Sequence, residues 1–331
     1  MSLRFFLAPA FFIFCLLFGT GVSAQDTNIY LKTSPVPERL RPFSEPATLS
    51  LLATAADGKP LASGWLNLRL EAPRPILFST DFPLAEGGAL TEMRLPLRAG
   101  KAEWRYNFPI RGEYRLFVEV LALDGSQSSK MFAIEVREHR SKWLTLAAFI
   151  LGLLGVGVIA GRIFTPAASK GAGALPVIFY SSLFFALSSS TAFAQTGAAK
   201  PIARLEIDPP AAGKLARIRW VLDADGENAG RALLSLAITH IEKKMTVFAV
   251  DRIPVEREFS MNFHFVDGAD HRVAAQAQLP GGKSVRSEQV VAVSAVGPPI
   301  SAMLPAMGFF LAVISLGLAV GRWSRSRTSP S

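Results

Sequence analysis

The sequence predicts an all-β fold in which two tandem Ig-like β-sandwich domains are attached to transmembrane helices. Three observations lead to this prediction. The chain of 331 residues is 50% hydrophobic and only 18% charged, whereas about 25% charge is usual in soluble proteins. Long uncharged segments recur along it. The regions between them consist of short runs of branched and aromatic residues separated by Gly, Pro and Asp turns, as in sandwiches.

The amino terminus has the pattern of an export signal. Arg4 supplies positive charge, residues 5–18 form an apolar core, and Ala24 precedes Gln25 in the small-residue context of a cleavage site. We therefore predict a signal peptide at residues 1–24 and export of the region that follows, a first sandwich at residues 25–140.

A transmembrane helix is predicted at residues 143–162. Its uncharged part, residues 143–161, spans about 28 Å at about 1.5 Å per residue, which matches the hydrocarbon core of a bilayer. A second uncharged segment at residues 176–194 ends in a cleavage-like Ala194-Gln195 bond. It is either retained as a second transmembrane helix or cut as an internal signal.

A third transmembrane segment is predicted at residues 300–321. It precedes a basic tail, residues 322–331, with Arg322, Arg325 and Arg327. Because positive residues stay in the cytoplasm, we expect the tail inside and the second sandwich, residues 195–297, outside. The predicted location is therefore a bacterial plasma (inner) membrane, with both globular domains on the extracytoplasmic side.

Seven strands are predicted in each domain. In the first they are residues 47–54, 65–70, 76–80, 92–97, 102–108, 113–121 and 130–136. In the second they are residues 203–207, 216–222, 233–240, 246–251, 258–263, 271–278 and 288–294.

The two exported regions repeat each other, which predicts a tandem duplication. Residues 65–70 correspond to 233–238, and residues 103–108 to 258–263. Tyr114 corresponds to His271. The apolar segments correspond as well, since residues 157–162 and 317–322 are both Gly-x-x-x-Gly-Arg.

Composition narrows the function classes. The net charge of +9 comes from scattered Lys and Arg rather than from one basic face among stacking aromatics, so we expect no nucleic-acid partner. The single cysteine, Cys15, cannot form an intramolecular disulfide or a zinc ribbon. No recognised pattern joins a nucleophile to a base, so we expect no enzyme and no catalytic residue.

A copper site is the alternative hypothesis. Strand alternation directs His240 and His271 toward the core of the second domain and His264 toward water. Imidazole together with thioether suits copper(I), so His240, His271, Met261 and Met245 are the candidate metal ligands. The other interpretation is that these histidines are hydrogen-bonded structural residues and that the methionines fill the core.

Part of each domain resembles a known family. The segment Thr-His-Ile-Glu-Lys-Lys-Met at residues 239–245, with residues 247–251, 259–263 and 268–273, resembles the YtkA-like and FixH-like exported β-sandwich domains, and residues 112–120 resemble their closing strand. The resemblance implies a small membrane-anchored or periplasmic domain. Some members of that family are linked with copper handling or cytochrome oxidase assembly.

Two G-x-x-x-G motifs lie in the first and third apolar segments, at Gly157, Gly161, Gly317 and Gly321. Such glycines allow close helix approach, so we expect these helices to pack on each other or on a partner. The sequence as a whole favours a non-catalytic, membrane-anchored interaction or assembly protein. Its expected partners are the membrane and another membrane or exported protein, and no cofactor is expected unless the copper alternative holds.

Overall fold

The computed structural model describes residues 27–76, 78, 80–164, 203–222, 232–280 and 282–328. The predicted signal peptide at residues 1–24 and the predicted segment at residues 176–194, with its Ala194-Gln195 bond, lie outside the described residues.

Within the described ranges, each half of the chain contains seven strands followed by one long helix. The first half contains β1 (Asn28–Ser34), β2 (Ala47–Thr54), β3 (Ser63–Glu71), β4 (Ala89–Arg98), β5 (Lys101–Tyr106), β6 (Gly112–Ala122), β7 (Gln127–Val136) and α1 (Arg140–Ile163). The second contains β8 (Ala203–Ile207), β9 (Leu215–Leu222), β10 (Ala232–His240), β11 (Met245–Val255), β12 (Glu258–His264), β13 (Asp270–Gln278), β14 (Ser284–Ala292) and α2 (Ile300–Thr328).

Alternating burial explains why these segments are strands. In β3, Leu66, Leu68 and Leu70 are buried while the residues between them face outward. In β10 the buried positions include Leu234 and Leu236. A period of two places every second side chain on one face of a sheet. These faces close over cores that contain the fully buried rings of Trp104 and Trp220, among others.

The two halves have the same strand pairings. In the first, β1 pairs with β2, β2 with β5, β4 with β3, β3 with β6, and β6 with β7. These pairs form two strand orders, β1-β2-β5 and β4-β3-β6-β7. The second half repeats them as β8-β9-β12 and β11-β10-β13-β14. Each half is thus an Ig-like β-sandwich, and the fold is all-β apart from two helices that are long and apolar enough to cross a membrane.

The sandwiches are joined edge to edge by two strand pairs, which we call the seam. Across it β5 pairs with β11 and β4 pairs with β12. Since β11 is the counterpart of β4 and β12 that of β5, the pairing is reciprocal. Two continuous antiparallel sheets result, β1-β2-β5-β11-β10-β13-β14 and β7-β6-β3-β4-β12-β9-β8, connected at the Arg98–Lys101 pair of the β4-β5 hairpin.

The structure corrects the strand prediction in two places. Residues 76–80 are not a strand at the positions described, where Ile76 and Phe78 are exposed. Conversely, β1 was not predicted. It is an edge strand with only two inward apolar side chains, the buried Ile29 and the partly buried Leu31. The exposed Tyr30 between them interrupts the alternation of apolar and polar residues on which strand prediction depends.

Candidate functional site

The polar cluster of the second domain lies where β10 ends and β13 begins. His240 and His271 are direct cross-strand neighbours, and their ring centroids are 4.8 Å apart. Asp267, in the loop between β12 and β13, completes a group whose possible ligand atoms all lie within 4.8 Å of one another.

Hydrogen bonds occupy both nitrogens of His240. The backbone N–H of Lys243 donates to Nδ1 at 3.3 Å, and Nε2 lies 3.1 Å from Oδ2 of Asp267. Because a backbone N–H can only donate, Nδ1 is the acceptor and Nε2 carries the proton. The ammonium group of Lys243 also donates to Asp267 Oδ2, at 3.0 Å.

His271 is held by a single hydrogen bond. Its Nδ1 donates to the backbone oxygen of Ala269 at 2.9 Å, so that Nε2 carries a lone pair. The corresponding residue of the first domain is Tyr114, whose hydroxyl donates to the Ile110 oxygen at 2.7 Å and accepts from the Ile110 N–H at 2.9 Å. That contact is a tyrosine corner, and in the second domain a histidine takes its place.

His264 is buried, and the expectation that it faces water is wrong. Its exposed fraction is 3%, and Nδ1 donates to the backbone oxygen of Ala89 in the first domain at 3.2 Å. His264 is shielded here because the first-domain backbone at Gly88 and Ala89 lies against its ring. Among the described residues, its buried Nε2 has no hydrogen-bond partner.

A small cavity lies between the two domains at this cluster. Its volume is about 20 Å³, and it is lined by the three histidines and by first-domain residues that include Phe43 and Asn107. Asn107 Oδ1 is a second buried acceptor without a partner in the described part of the chain. A cavity of this volume has room for about one water molecule or one metal ion.

Burial controls the protonation of the cluster. Desolvation lowers the pKa of His264 and His271 below the ordinary value, against the opposing effect of their hydrogen bonds to Ala89 and Ala269. Burial raises the pKa of Asp267, but the hydrogen bonds and charges of Lys243 and His240 outweigh it, so the net shift is downward. Asp267 is therefore a carboxylate, and His264 and His271 are neutral at neutral pH.

Lys243 also links the cluster to the first domain. Its ammonium nitrogen lies 4.1 Å from the ring centroid of Phe43 and 5.2 Å from that of Phe82. Cation–π attraction of this kind is strongest where the cation is partly desolvated.

The candidate methionine ligands lie in different places. Met245 is half-buried and is the cross-strand neighbour of His240. Met261 is buried in the seam opposite Met93 and does not line the small cavity. The structure brings His240 and His271 together with Asp267 and Lys243, which the sequence analysis did not select. Asp267 lies in a polar turn, and no local pattern separates it from an ordinary turn aspartate.

The predicted helix-packing glycines lie between α1 and α2. A Cβ added at Gly157 would lie 2.6 Å from the Ile314 oxygen, and one at Gly317 would lie 2.5 Å from the Leu154 oxygen. Gly161 and Gly321 approach Leu318 and Val158 in the same way. Gly157 lies against Gly317 and Gly161 lies against Gly321. Because the contacts follow the same order along both helices, the helices run parallel.

No family model and no curated protein matches the chain. Solved structures that align with part of the chain include a conjugative transposon lipoprotein from Bacteroides eggerthii, with 12% identity over 27% of this chain and 93% of that one and a TM-score of 0.21. The soluble domain of PmoD from Methylocystis sp. has 16% identity over 34% and 92%, with a TM-score of 0.22. Likeness at this level assigns neither family nor function, and the resemblance to YtkA-like and FixH-like domains stays a prediction.

Replacing Gly157 with Leu should destabilise the packing of α1 on α2. The added side chain meets backbone atoms of α2, and overpacking of this kind costs about 1–3 kcal/mol. The midpoint of unfolding of the detergent-solubilised protein measures the loss. Gly155→Leu is the matched control, because a Cβ at Gly155 meets no atom within 4 Å. Equal effects of the two substitutions would contradict this packing.

Stability should fall as the pH is lowered from about 7.5 to about 5.5. His264 and His271 have lowered folded-state pKa values, so the unfolded chain takes up protons first and the folded state loses stability below about pH 6.5. Asp267 contributes in a separate window, because its lowered pKa makes its stabilisation disappear only below about pH 4.

The thermal unfolding midpoint across this pH range measures the effect of the histidines. His264→Gln should reduce the fall in midpoint, while His139→Gln, outside the cluster, should leave it unchanged. A pH profile identical in the wild type and in His264→Gln would show that His264 does not contribute.

Proposed function

We propose that this chain is a membrane-anchored extracytoplasmic interaction or assembly protein without catalytic activity. The observation that carries the proposal is the combination of one rigid double sandwich with two parallel apolar helices. The sandwich presents a broad surface formed by both domains, and the helices hold that surface at a membrane.

The exposed apolar surface of the helices supports membrane insertion. Apart from the glycine contact, α1 and α2 expose large side chains such as Leu151, Ile159 and Leu311, each at least 60% exposed. A continuous surface of this kind is unfavourable in water and is typical of a lipid-facing helix.

The direction of the helices supports placing both domains on one side. Each helix follows the last strand of its domain, and the two run parallel. Arg162, Arg322 and Arg325 lie at their carboxyl-terminal ends, which the positive-inside rule assigns to the cytoplasm. The double sandwich is then exported as a unit.

The best candidate interaction surface is a groove on the outer face of the β7-β6-β3-β4-β12-β9-β8 sheet. The groove has a volume of about 720 Å³ and crosses the seam. Exposed Phe117 and Met131 contribute apolar surface. Arg94 and Arg217 line it and form no ion pair with any other residue that the structure describes.

The charge of this groove determines the partner chemistry. Aromatic residues, Met and Arg are enriched in protein interfaces. Four cations, Arg69, Arg94, Lys130 and Arg217, line the groove against two carboxylates, Glu92 and Glu119, and this positive excess favours a partner that supplies carboxylates. We therefore propose that the groove binds an acidic segment of another exported or membrane protein.

A photo-crosslinking residue at Met131 tests this surface in intact cells. We expect a discrete covalent adduct with an exported protein, and we expect Arg94→Glu together with Arg217→Glu to abolish it by charge repulsion. Val290, on the outer face of β14 and 55% exposed, is the matched control position and should give no adduct. Adducts that are equal at both positions, or that survive the double substitution, would contradict the proposed surface.

A fluorescent reporter fused after Ser331 tests the orientation. Because green fluorescent protein folds poorly after export through the general secretion route, we expect fluorescence from this fusion and none from the same reporter placed after Arg140. Alkaline phosphatase, which needs an oxidising compartment, should give the opposite pattern. An active phosphatase after Ser331 would overturn the topology.

A second candidate function, copper binding, is favoured by the grouping of His240, Asp267 and His271 within 4.8 Å. His271 Nε2 has a free lone pair for a metal. The other features oppose it: both nitrogens of His240 are hydrogen-bonded, and the Lys243 ammonium lies 3.0 Å from Asp267, where it repels a cation. Met261 is not part of the group. The cluster is therefore better suited to a structural role.

A copper(I) titration of the full-length protein against a competing chelator separates the two functions. We expect the wild type and the His240→Ala, His271→Ala double variant to bind equally little copper. Equimolar binding by the wild type that the double variant loses would establish the metal function instead. Lys243→Leu is a useful second variant, because removing the ammonium without adding a ligand atom should increase binding only if the cluster is a metal site.

A further inference from the structure

We propose that the membrane-side end of the first domain binds the phosphate-bearing headgroup of an anionic phospholipid. A groove of about 1040 Å³ lies there, between the loops after β3 and β7 and the start of α1. We call it the arginine groove because six arginines line it against four glutamates, Glu86, Glu113, Glu135 and Glu138. The arginines are Arg41, Arg74, Arg111, Arg115, Arg137 and Arg140, and Trp143 lies beside them. The inference rests on the proposed anchoring in a membrane.

The position of the arginine groove matches the headgroup layer. β7 ends at Val136 and α1 begins at Arg140, so the domain meets the helix almost directly. The uncharged residues 143–161 fill about 28 Å of hydrocarbon, and Arg140 lies about 4.5 Å farther along the axis. This is the depth of lipid phosphates.

Two of the arginines form no ion pair with any described residue. Arg137 pairs with Glu135 at 3.1 Å, and Arg111 lies 3.5 Å from Glu138. By contrast, Arg74 and Arg140 are exposed, and neither forms an ion pair with any residue in the described ranges. A guanidinium group binds phosphate oxygens through two parallel hydrogen bonds, so these two side chains are available to a phosphate.

Apolar groups on the rim fit the remainder of a lipid. Trp143 is 54% exposed. The guanidinium carbon of Arg111 lies over its ring, 5.4 Å from the ring centroid. Ile76 is 63% exposed in the loop after β3. In the same loop, Phe78 contacts Phe309 of α2, with ring centroids 5.7 Å apart. Tryptophan is typical of the membrane interface, and the loop lies at the level of both helices.

The positive-inside rule does not account for the arginines of this groove. Positive residues that set topology are found on the cytoplasmic side, whereas the arginine groove lies at the amino-terminal end of α1, on the proposed exported side. Binding of anionic lipid gives the arginines a role at that end.

Native mass spectrometry of the full-length protein released from nanodiscs tests the proposal. With equal amounts of phosphatidylglycerol and phosphatidylcholine, we expect the wild type to retain phosphatidylglycerol selectively. Arg74→Gln with Arg140→Gln should reduce this retention at least about tenfold, because each substitution removes a charged, bidentate donor to the phosphate. Arg74→Gln alone should give an intermediate loss.

The matched control is Arg98→Gln with Lys101→Gln. It also removes two positive charges, but at the far end of β4, about 30 Å from the arginine groove at about 3.3 Å per residue. It should retain phosphatidylglycerol like the wild type. Equal retention by both double variants, or no selectivity in the wild type, would overturn the proposal.

A soluble competitor distinguishes a lipid from a free phosphate. Glycerol 3-phosphate at millimolar concentration should not displace phosphatidylglycerol, and displacement would show that the groove binds a soluble phosphate ester instead. Because a nanodisc offers both leaflets, the measurement does not depend on which side of the membrane the domain occupies. A failure of the proposed topology would therefore appear in the reporter fusions and not here.

Discussion

The reciprocal pairing at the seam is the interaction on which the rest of the structure depends. An exposed edge strand invites pairing with other chains, and each sandwich would expose two such edges, at β4 and β5 or at β11 and β12. Here the edges satisfy each other. Backbone hydrogen bonds such as that from Asn107 N to Val247 O, at 2.9 Å, turn two small domains into one body with a shared core.

The seam also determines how the helices meet. Each helix follows the last strand of its domain, so a near-twofold relation between the domains carries α1 and α2 to equivalent positions. Two equivalent helices in contact must present the same residues to each other, and Gly157 meets Gly317 as Gly161 meets Gly321. A motif that occurs once in each half thus serves a single contact, and the contact holds the two helices parallel.

Strand alternation made most of the fold predictable, but the sequence could not reveal the seam. The alternation of apolar residues in β3 and β10 reflects burial within each strand's own domain. It would be the same however the two domains were arranged. His264 shows the limit: its alternation indicates a water-facing side chain, and contact with the first-domain backbone at Ala89 buries it. Asp267 and Lys243 were missed for a similar reason, because their roles arise from contacts with His240 and Phe43 that no local spacing encodes.

The two halves differ in polarity at the position of Tyr114 in the first domain and His271 in the second. At one position the first domain has Tyr114, whose hydroxyl is fully used by Ile110, and the second has His271, with one nitrogen left over. Other polar residues lie around His271. Asp267 forms hydrogen bonds with His240 and Lys243, and His264 donates to the Ala89 oxygen of the first domain. Burying His264 and His271 is tolerable only while they hydrogen-bond and stay neutral. Acid should therefore weaken the interface between the domains before it weakens either core.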